Sequence, residues 1–168
     1  MSRKVSKVFK QSGVIPYRLK NGRIEILLIT TRNYQHWVIP KGDIPVGMSP
    51  PDSAAKEAWE EAGVIGQVDT NELGMYKYRK RGKIYQVKMY LLPVEMVSED
   101  YPEANQRKRQ WLDVTKAIRR LKFRSLKRIL KGFFQSKSIF VHLDAEQMNF
   151  PIDVYTQFCT KSEETSSR

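Results

Sequence analysis

The chain has 168 residues, 40% of them hydrophobic, and a formal net charge of +12. That length bounds the molecule to one domain of ordinary size with some tail, and the apolar fraction supplies a real core, which excludes wholesale disorder. The charge points to a polyanionic partner: nucleic acid, an anionic membrane or a small molecule carrying many phosphates. No apolar run approaches the length of a membrane span, and MSRKVSKVFK at the start lacks the apolar segment of a secretory signal. The single cysteine, Cys159, forms no intramolecular disulfide, so a reducing, cytoplasmic setting is the expectation.

Residues 1–7 are basic and polar and read as a flexible N-terminus. Residues 10–17 (KQSGVIPY) and 24–30 (IEILLIT) read as strands, with Asn21-Gly22 between them as a hairpin turn. Trp37-Val38-Ile39 is a short buried strand ended by Pro40, followed by a loop from Lys41 to Met48. A helix is expected over 50–62. Ser49 suits its N-cap, Pro50 its first position, Asp52 the third, and Gly63 supplies the positive φ past its last turn. Ala54, Ala55, Ala58, Trp59 and Ala62 give it small, mostly apolar positions for packing on a sheet.

Further strands are expected around Val68 and over 73–78, with a turn at Arg81-Gly82. The longest strand-like run, 84–94, alternates Tyr85, Val87 and Met89 with Ile84, Gln86, Lys88 and Tyr90. Residues 98–105 form a loop, and 110–112 a last short strand. From 114 to 134 the apolar residues recur at helical spacing, and the polar positions hold lysines and arginines with no acid. Residues 135–168 read as a partly disordered extension ending in a Ser/Glu/Thr-rich tail, with a strand at 139–143. This order suits an α/β/α sandwich with a mixed β-sheet between helices.

The chemistry lies on the first helix. Glu57, Glu60 and Glu61 stand at i, i+3 and i+4, so their carboxylates project from one side. They repel one another and crowd the helix C-terminal half, where the macrodipole disfavours negative charge. A divalent cation such as Mg²⁺ or Mn²⁺ would relieve both penalties.

Gly42, Lys56-Glu57, Ala58, Glu60-Glu61, Gly63 and Val64 stand at the spacing of the Nudix box, G-x5-E-x7-R-E-U-x-E-E-x-G-U with U apolar, and the chain resembles that family. Met48 occupies the first glutamate position and Lys56 the arginine position. The family's arginine is understood to orient the glutamates; lysine keeps its charge without the planar fork. The resemblance implies an α/β/α sandwich over residues 8–134 and phosphoanhydride hydrolysis. It makes Glu57 and Glu61 direct metal ligands, has Glu60 ligate or activate water, and brings a backbone carbonyl near Gly42 into the metal shell.

Thr30-Thr31-Arg32, HWVIPKG at 36–42, EEAGVIG at 60–66 and QRKRQWLDVTKAIRRL at 106–121 resemble the diphosphoinositol polyphosphate phosphohydrolase branch. There, basic residues on the first strand, after the second strand and before the last Trp hold phosphates. Lys10, Arg32, and Arg107 or Arg109 match them, and Lys41 joins the set. Lys41-Gly42-Asp43 replaces a run of glycines; relatives with the PKG form are linked to dinucleoside polyphosphates as well. Tyr76, Tyr78, Tyr85 and Tyr90 offer stacking surfaces, although strand aromatics are usually core. His36 reads as a core or surface residue.

The expected substrate is therefore a highly phosphorylated small molecule, a diphosphoinositol polyphosphate or a dinucleoside polyphosphate, handled by a monomer or homodimer without a membrane. Two alternatives stand beside it. One is pyrophosphate removal from an RNA 5′ end, with the basic helical segment as track; the other is a non-catalytic polyanion-binding module with a Nudix shell.

Overall fold

A computed structural model describes residues 7–135. The expectations for the first six residues, the strand at 139–143, the tail and Cys159 lie outside the described residues. The sheet is built around β1 (Val8–Lys20). Its C-terminal end forms a hairpin with β2 (Arg23–Thr30), Tyr17 pairing with Ile26 and Lys20 with Arg23. Asn21 and Gly22, at φ 51° and 72°, make the two-residue turn that matches strand twist. Nearer its start, β1 pairs antiparallel with β4 (Lys41–Asp43), Ser12 opposite Gly42. On its other edge it runs parallel to β7 (Lys83–Pro93), from Val8 opposite Ile84 to Tyr17 opposite Pro93.

Both β3 (Trp37–Val38) and β9 (Arg109–Asp113) pair with β2. The edge strand β6 (Gly74–Lys80) joins β7 through a second positive-φ turn, Arg81 at 48° and Gly82 at 73°. A separate ribbon pairs β5 (Val64–Ile65) with β8 (Met96–Val97). One parallel pair among antiparallel ones makes the expected mixed sheet.

Each face of that sheet is covered. On one, Val14, Leu27, Ile29, Tyr90 and Leu92 meet α1 (Pro50–Ala62) through Ala54, Ala58 and Ala62, whose small side chains let helix and sheet approach closely. On the other, Ile15, Ile26, Leu28, Val87 and Met89 meet α2 (Val114–Arg120) and α3 (Arg124–Gln135) through Ile118, Leu126 and Leu130. Full burial of each such leucine contributes about 1.5–3 kcal/mol. The result is the α/β/α sandwich. Among the described residues, no helix is long and apolar enough to cross a membrane.

The ends of α1 form as the sequence predicts. Ser49 Oγ accepts the Asp52 N–H at 3.2 Å, and Gly63, at φ 64°, closes the helix on the Ala58 and Trp59 carbonyls. Two elements differ from expectation. Val68 lies outside any strand: its segment touches β7 through the Asp69 N–H on the Leu91 carbonyl without continuing into a ladder. Conversely, Lys41–Asp43 is a strand, paired through backbone positions too few to leave a periodicity.

Candidate active site

One cavity of about 870 Å³ gathers the chemistry. The helix on one sheet face brings Glu57, Glu60 and Glu61 to it, and the loop before β9 brings Glu103 and Arg107. The β6–β7 tip brings Tyr78, Lys80, Arg81 and Tyr85, and the α2–α3 turn brings Lys122 and Phe123. Lys41 and Gly42 of β4 also line it.

The missing side chain at Gly42 makes the acidic part possible. A Cβ there would fall 2.3 Å from the Glu57 carboxyl carbon, so the carboxylate rests directly against the strand backbone. Burial, reinforced by the charge of Glu61, pushes the Glu57 carboxyl up to about 7. Glu61 is more deeply buried, 7% exposed. Burial raises its carboxyl as well, opposed by the Arg107 charge and by the Lys41 backbone N–H, which donates to Oε2 at 3.0 Å. Glu60 is held by Lys56 at 2.6 Å, one helical turn back.

Arg107 is a clamp. Its guanidinium, 9% exposed, donates to Glu61, to Glu103 at 2.5 Å and to the Thr30 carbonyl at 2.9 Å. Arg32 bonds Glu103 from the solvent side. Burial opposes the Glu103 charge, but the hydrogen bonds from Arg32 and Arg107 outweigh it and hold that carboxyl below the usual range. Lys56 thus orients Glu60, as the resemblance implies for its position, while the orienting arginine for Glu61 comes from a distant loop.

The aromatic part is ordered too. The Tyr78 and Tyr85 rings stack with centroids 5.0 Å apart at 11°, and Phe123 lies 5.0 Å from Tyr78. Gln11 donates to Asp43 at 2.8 Å and accepts from the Tyr78 hydroxyl at 2.8 Å, tying β4 to β6. The Lys41 ammonium lies 5.4 Å from the centre of the Tyr78 ring. Burial lowers it from the usual lysine range, against the opposing pull of Glu61.

Of the residues expected to form a site, Glu57, Glu60, Glu61, Gly42, Lys41, Arg32 and Arg107 share this cavity. Lys10 and Arg109 are not among its lining residues. Lys10 is an exposed neighbour of the cavity-lining Gln11, and strand alternation sends the two to opposite faces. Arg109 donates to the carbonyls of Ala62 at 2.8 Å and Ser98 at 2.7 Å, with its guanidinium 4.8 Å from the Tyr101 ring centre. It caps the end of α1, where a cation complements the macrodipole. Met48 does not line the cavity; its N–H closes a turn on the Pro45 carbonyl at 3.1 Å. Tyr76 and Tyr90 are core, whereas Tyr78 and Tyr85 are partly open to the cavity. His36 is an exposed residue at its margin. The sequence reading passed over Glu103, Gln11, Lys80, Arg81 and Lys122.

Among the described residues, no three acidic or histidine side chains converge as a closed metal cage. The donors instead fit a hard divalent cation that keeps much of its water. All are carboxylate or backbone oxygens, and burial disfavours the charges of Glu57 and Glu61 when no cation is present. This has a measurable consequence. Because the folded-state carboxyl of Glu57 titrates near 7 rather than 4.5, the folded chain binds the extra proton between those values. Metal-free protein should therefore lose up to about 3 kcal/mol of stability as pH rises through that window. Urea melts at successive pH values will show it, and added Mg²⁺ should flatten the curve.

A second expectation concerns Gly42→Ala. The new methyl group must push the Glu57 carboxylate aside, so turnover should fall about 10²-fold while the circular dichroism spectrum stays unchanged. Undiminished turnover would show that Glu57 need not rest on β4.

The mixed sheet between α1 and the α2–α3 pair, with the acids of α1 facing β4, defines a class. A family model, the NUDIX domain, matches residues 10–132, and the chain belongs to the Nudix hydrolase family. Members of that family generally use divalent metal cations and act on polyphosphorylated small molecules. The chain is 33% identical over 131 residues to Nudix hydrolase 21, chloroplastic, of Arabidopsis thaliana, covering 74% of this chain and 66% of that one. It is 33% identical over 98 residues to diphosphoinositol polyphosphate phosphohydrolase 2 of Rattus norvegicus, covering 56% and 53%. The match thus spans about two thirds and about half of these two relatives. The crystal structure of the C. elegans Ap4A hydrolase superposes with a TM-score of 0.64 at 26% identity, covering 80% of this chain and 99% of that one.

Proposed function

We propose that this protein hydrolyses a phosphoanhydride bond of a highly phosphorylated small molecule, a diphosphoinositol polyphosphate or a dinucleoside polyphosphate, with Mg²⁺ or Mn²⁺. The observation that carries the reading is the meeting of five carboxylates and a set of lysines and arginines in one cavity of about 870 Å³. The names of the rat relative and the C. elegans structure supply the two substrate candidates. A cytoplasmic setting rests on the single cysteine.

Glu57 and Glu61, with the Gly42 backbone, would hold the cation, and Glu60 would join them or activate the attacking water. A divalent cation there supplies Lewis acidity toward phosphate oxygens and lowers the pKa of a bound water. Water oxygen forms a bond to one phosphorus of the P–O–P linkage and gives up a proton to Glu60 or solvent, the bond to the bridging oxygen breaks, and the leaving group departs as phosphate or as a nucleoside phosphate. Lys41 and Arg32 lie where cationic donors can stabilise charge on the equatorial oxygens, the main service a protein renders phosphoryl transfer. Tyr78 and Tyr85 present a flat surface to the rest of the substrate.

The test is a release assay with Mg²⁺ and then Mn²⁺. It covers diadenosine polyphosphates, diphosphoinositol polyphosphates, ADP-ribose and 5′-triphosphate RNA, with Glu61→Gln as control. One metal-dependent substrate among the first two groups is expected, with the control silent. Turnover surviving in the control removes the proposed metal site, and silence of the native chain across the panel overturns the reading.

A further inference from the structure

The molecule carries a second charged feature outside the cavity. Residues 114–135, the span of α2 and α3, contain eight lysines and arginines and no acid. Leu126 and Leu130, 1% and 0% exposed, pin α3 to the sheet, so its polar side faces solvent with Arg124, Arg128 and Lys131 exposed. These three recur at i, i+4 and i+7, a stripe about 10 Å long. Arg119 of α2 is exposed as well. The ion pairs of the described residues use acids of α1, β2, β9 and the loops before β6 and β9, and none involves these four cations.

The stripe starts at the cavity. Lys122 and Phe123, immediately before α3, line its wall together with Lys80, Arg81 and the stacked Tyr78 and Tyr85 rings. Arg120 lies over the Trp37 ring at 5.5 Å. Cations that track a phosphate backbone beside aromatic faces that accept bases are the two parts single-stranded nucleic acid binding requires. A membrane fits less well: an interfacial helix inserts its apolar side, and the apolar side of α3 is spent on the core. A duplex would leave the aromatic faces unused, because its bases are already stacked.

We propose that the exposed face of α2 and α3 is a docking surface for single-stranded nucleic acid, with phosphates on Arg119, Arg124, Arg128 and Lys131 and a base at the aromatic mouth of the cavity. Lys127 is left out because its ammonium donates to the Arg119 carbonyl at 3.0 Å and helps join the two helices. The surface stands whether or not the cavity hydrolyses anything.

The experiment measures fluorescence anisotropy of the full chain with RNA and DNA 20-mers lacking 5′ phosphates, a duplex of the same sequence, and phosphatidylserine vesicles. Single strands should bind, with log Kd rising against log salt at a slope near 3, about 0.7 for each of four phosphates. The stronger of RNA and DNA identifies the natural strand. The Arg119→Gln, Arg124→Gln, Arg128→Gln, Lys131→Gln quadruple variant keeps good helix formers on the surface. It should bind at least ten times more weakly at about 100 mM salt, with a shallower slope, and leave turnover of any small polyphosphate unchanged. Unweakened binding by a quadruple variant that folds, binding to duplex or vesicles alone, or no binding by the native chain overturns the proposal.

Discussion

Glu57→Gln protein should fold, resist urea better than the native chain in metal-free buffer at pH 7, and lose essentially all hydrolytic activity. Both effects come from one carboxylate. Burial and the neighbouring Glu61 push its titration up to about 7, so the ionised form is held against its preference. Glutamine keeps the shape and removes the charge, which should raise stability by about 1–3 kcal/mol at neutral pH. Deleting a partner that merely supports a metal ligand typically costs 10–100-fold, so the loss of the ligand itself should exceed about 10²-fold. The stability gain should vanish at saturating Mg²⁺, because only the native chain gains from binding the ion. A variant that is both less stable and fully active would place Glu57 outside the catalytic machinery.

Arg107→Ala should be the most destabilising single change in the site, by about 3–5 kcal/mol. The guanidinium serves Glu61, Glu103 and the Thr30 carbonyl at once, with 9% of its side chain exposed. Its removal leaves Glu61 buried beside Glu57, with the Lys41 N–H still donating to it. Glu103 keeps Arg32. Arg107→Lys should recover only part of the loss, since a point charge cannot reproduce a planar fork on three acceptors. Mg²⁺ should restore more stability to Arg107→Ala than to the native chain, because it compensates the freed carboxylates. A loss below about 1 kcal/mol would mean that the cluster behaves as an ordinary surface pair.

How much of this could be read beforehand depended on the range of the interaction. The two hairpin turns at Asn21-Gly22 and Arg81-Gly82 and both ends of α1 were legible because each is decided within a few residues. The Glu57, Glu60, Glu61 face was legible from helical spacing, and the Lys56–Glu60 pair follows the same i, i+4 rule. Arg107 and Arg109 could not be separated. They lie two residues apart in the same basic run, and their fates depend on Glu61 and Thr30 for one and on the end of α1 with Tyr101 for the other. Lys10 illustrates parity: knowing the strand does not reveal which face opens to the cavity. Glu103 sits in a loop without periodicity and is held at the site by distant partners: its N–H bonds the Glu60 carbonyl at 3.0 Å, and Arg32 and Arg107 bond its carboxylate.

The amide of Gln11 bears on how relatives of this chain can diverge. Its donor end is committed to Asp43 and its acceptor end to Tyr78, so neither partner can be exchanged alone without stranding the end of the amide that faces it. Glutamate at 11 would set two carboxylates face to face; leucine would leave Asp43 and the Tyr78 hydroxyl without this partner. Positions 11, 43 and 78, far apart in the chain, should therefore change together or not at all in lineages that keep this pocket. Such a correlated triplet would mark the members whose substrate wall is built like this one.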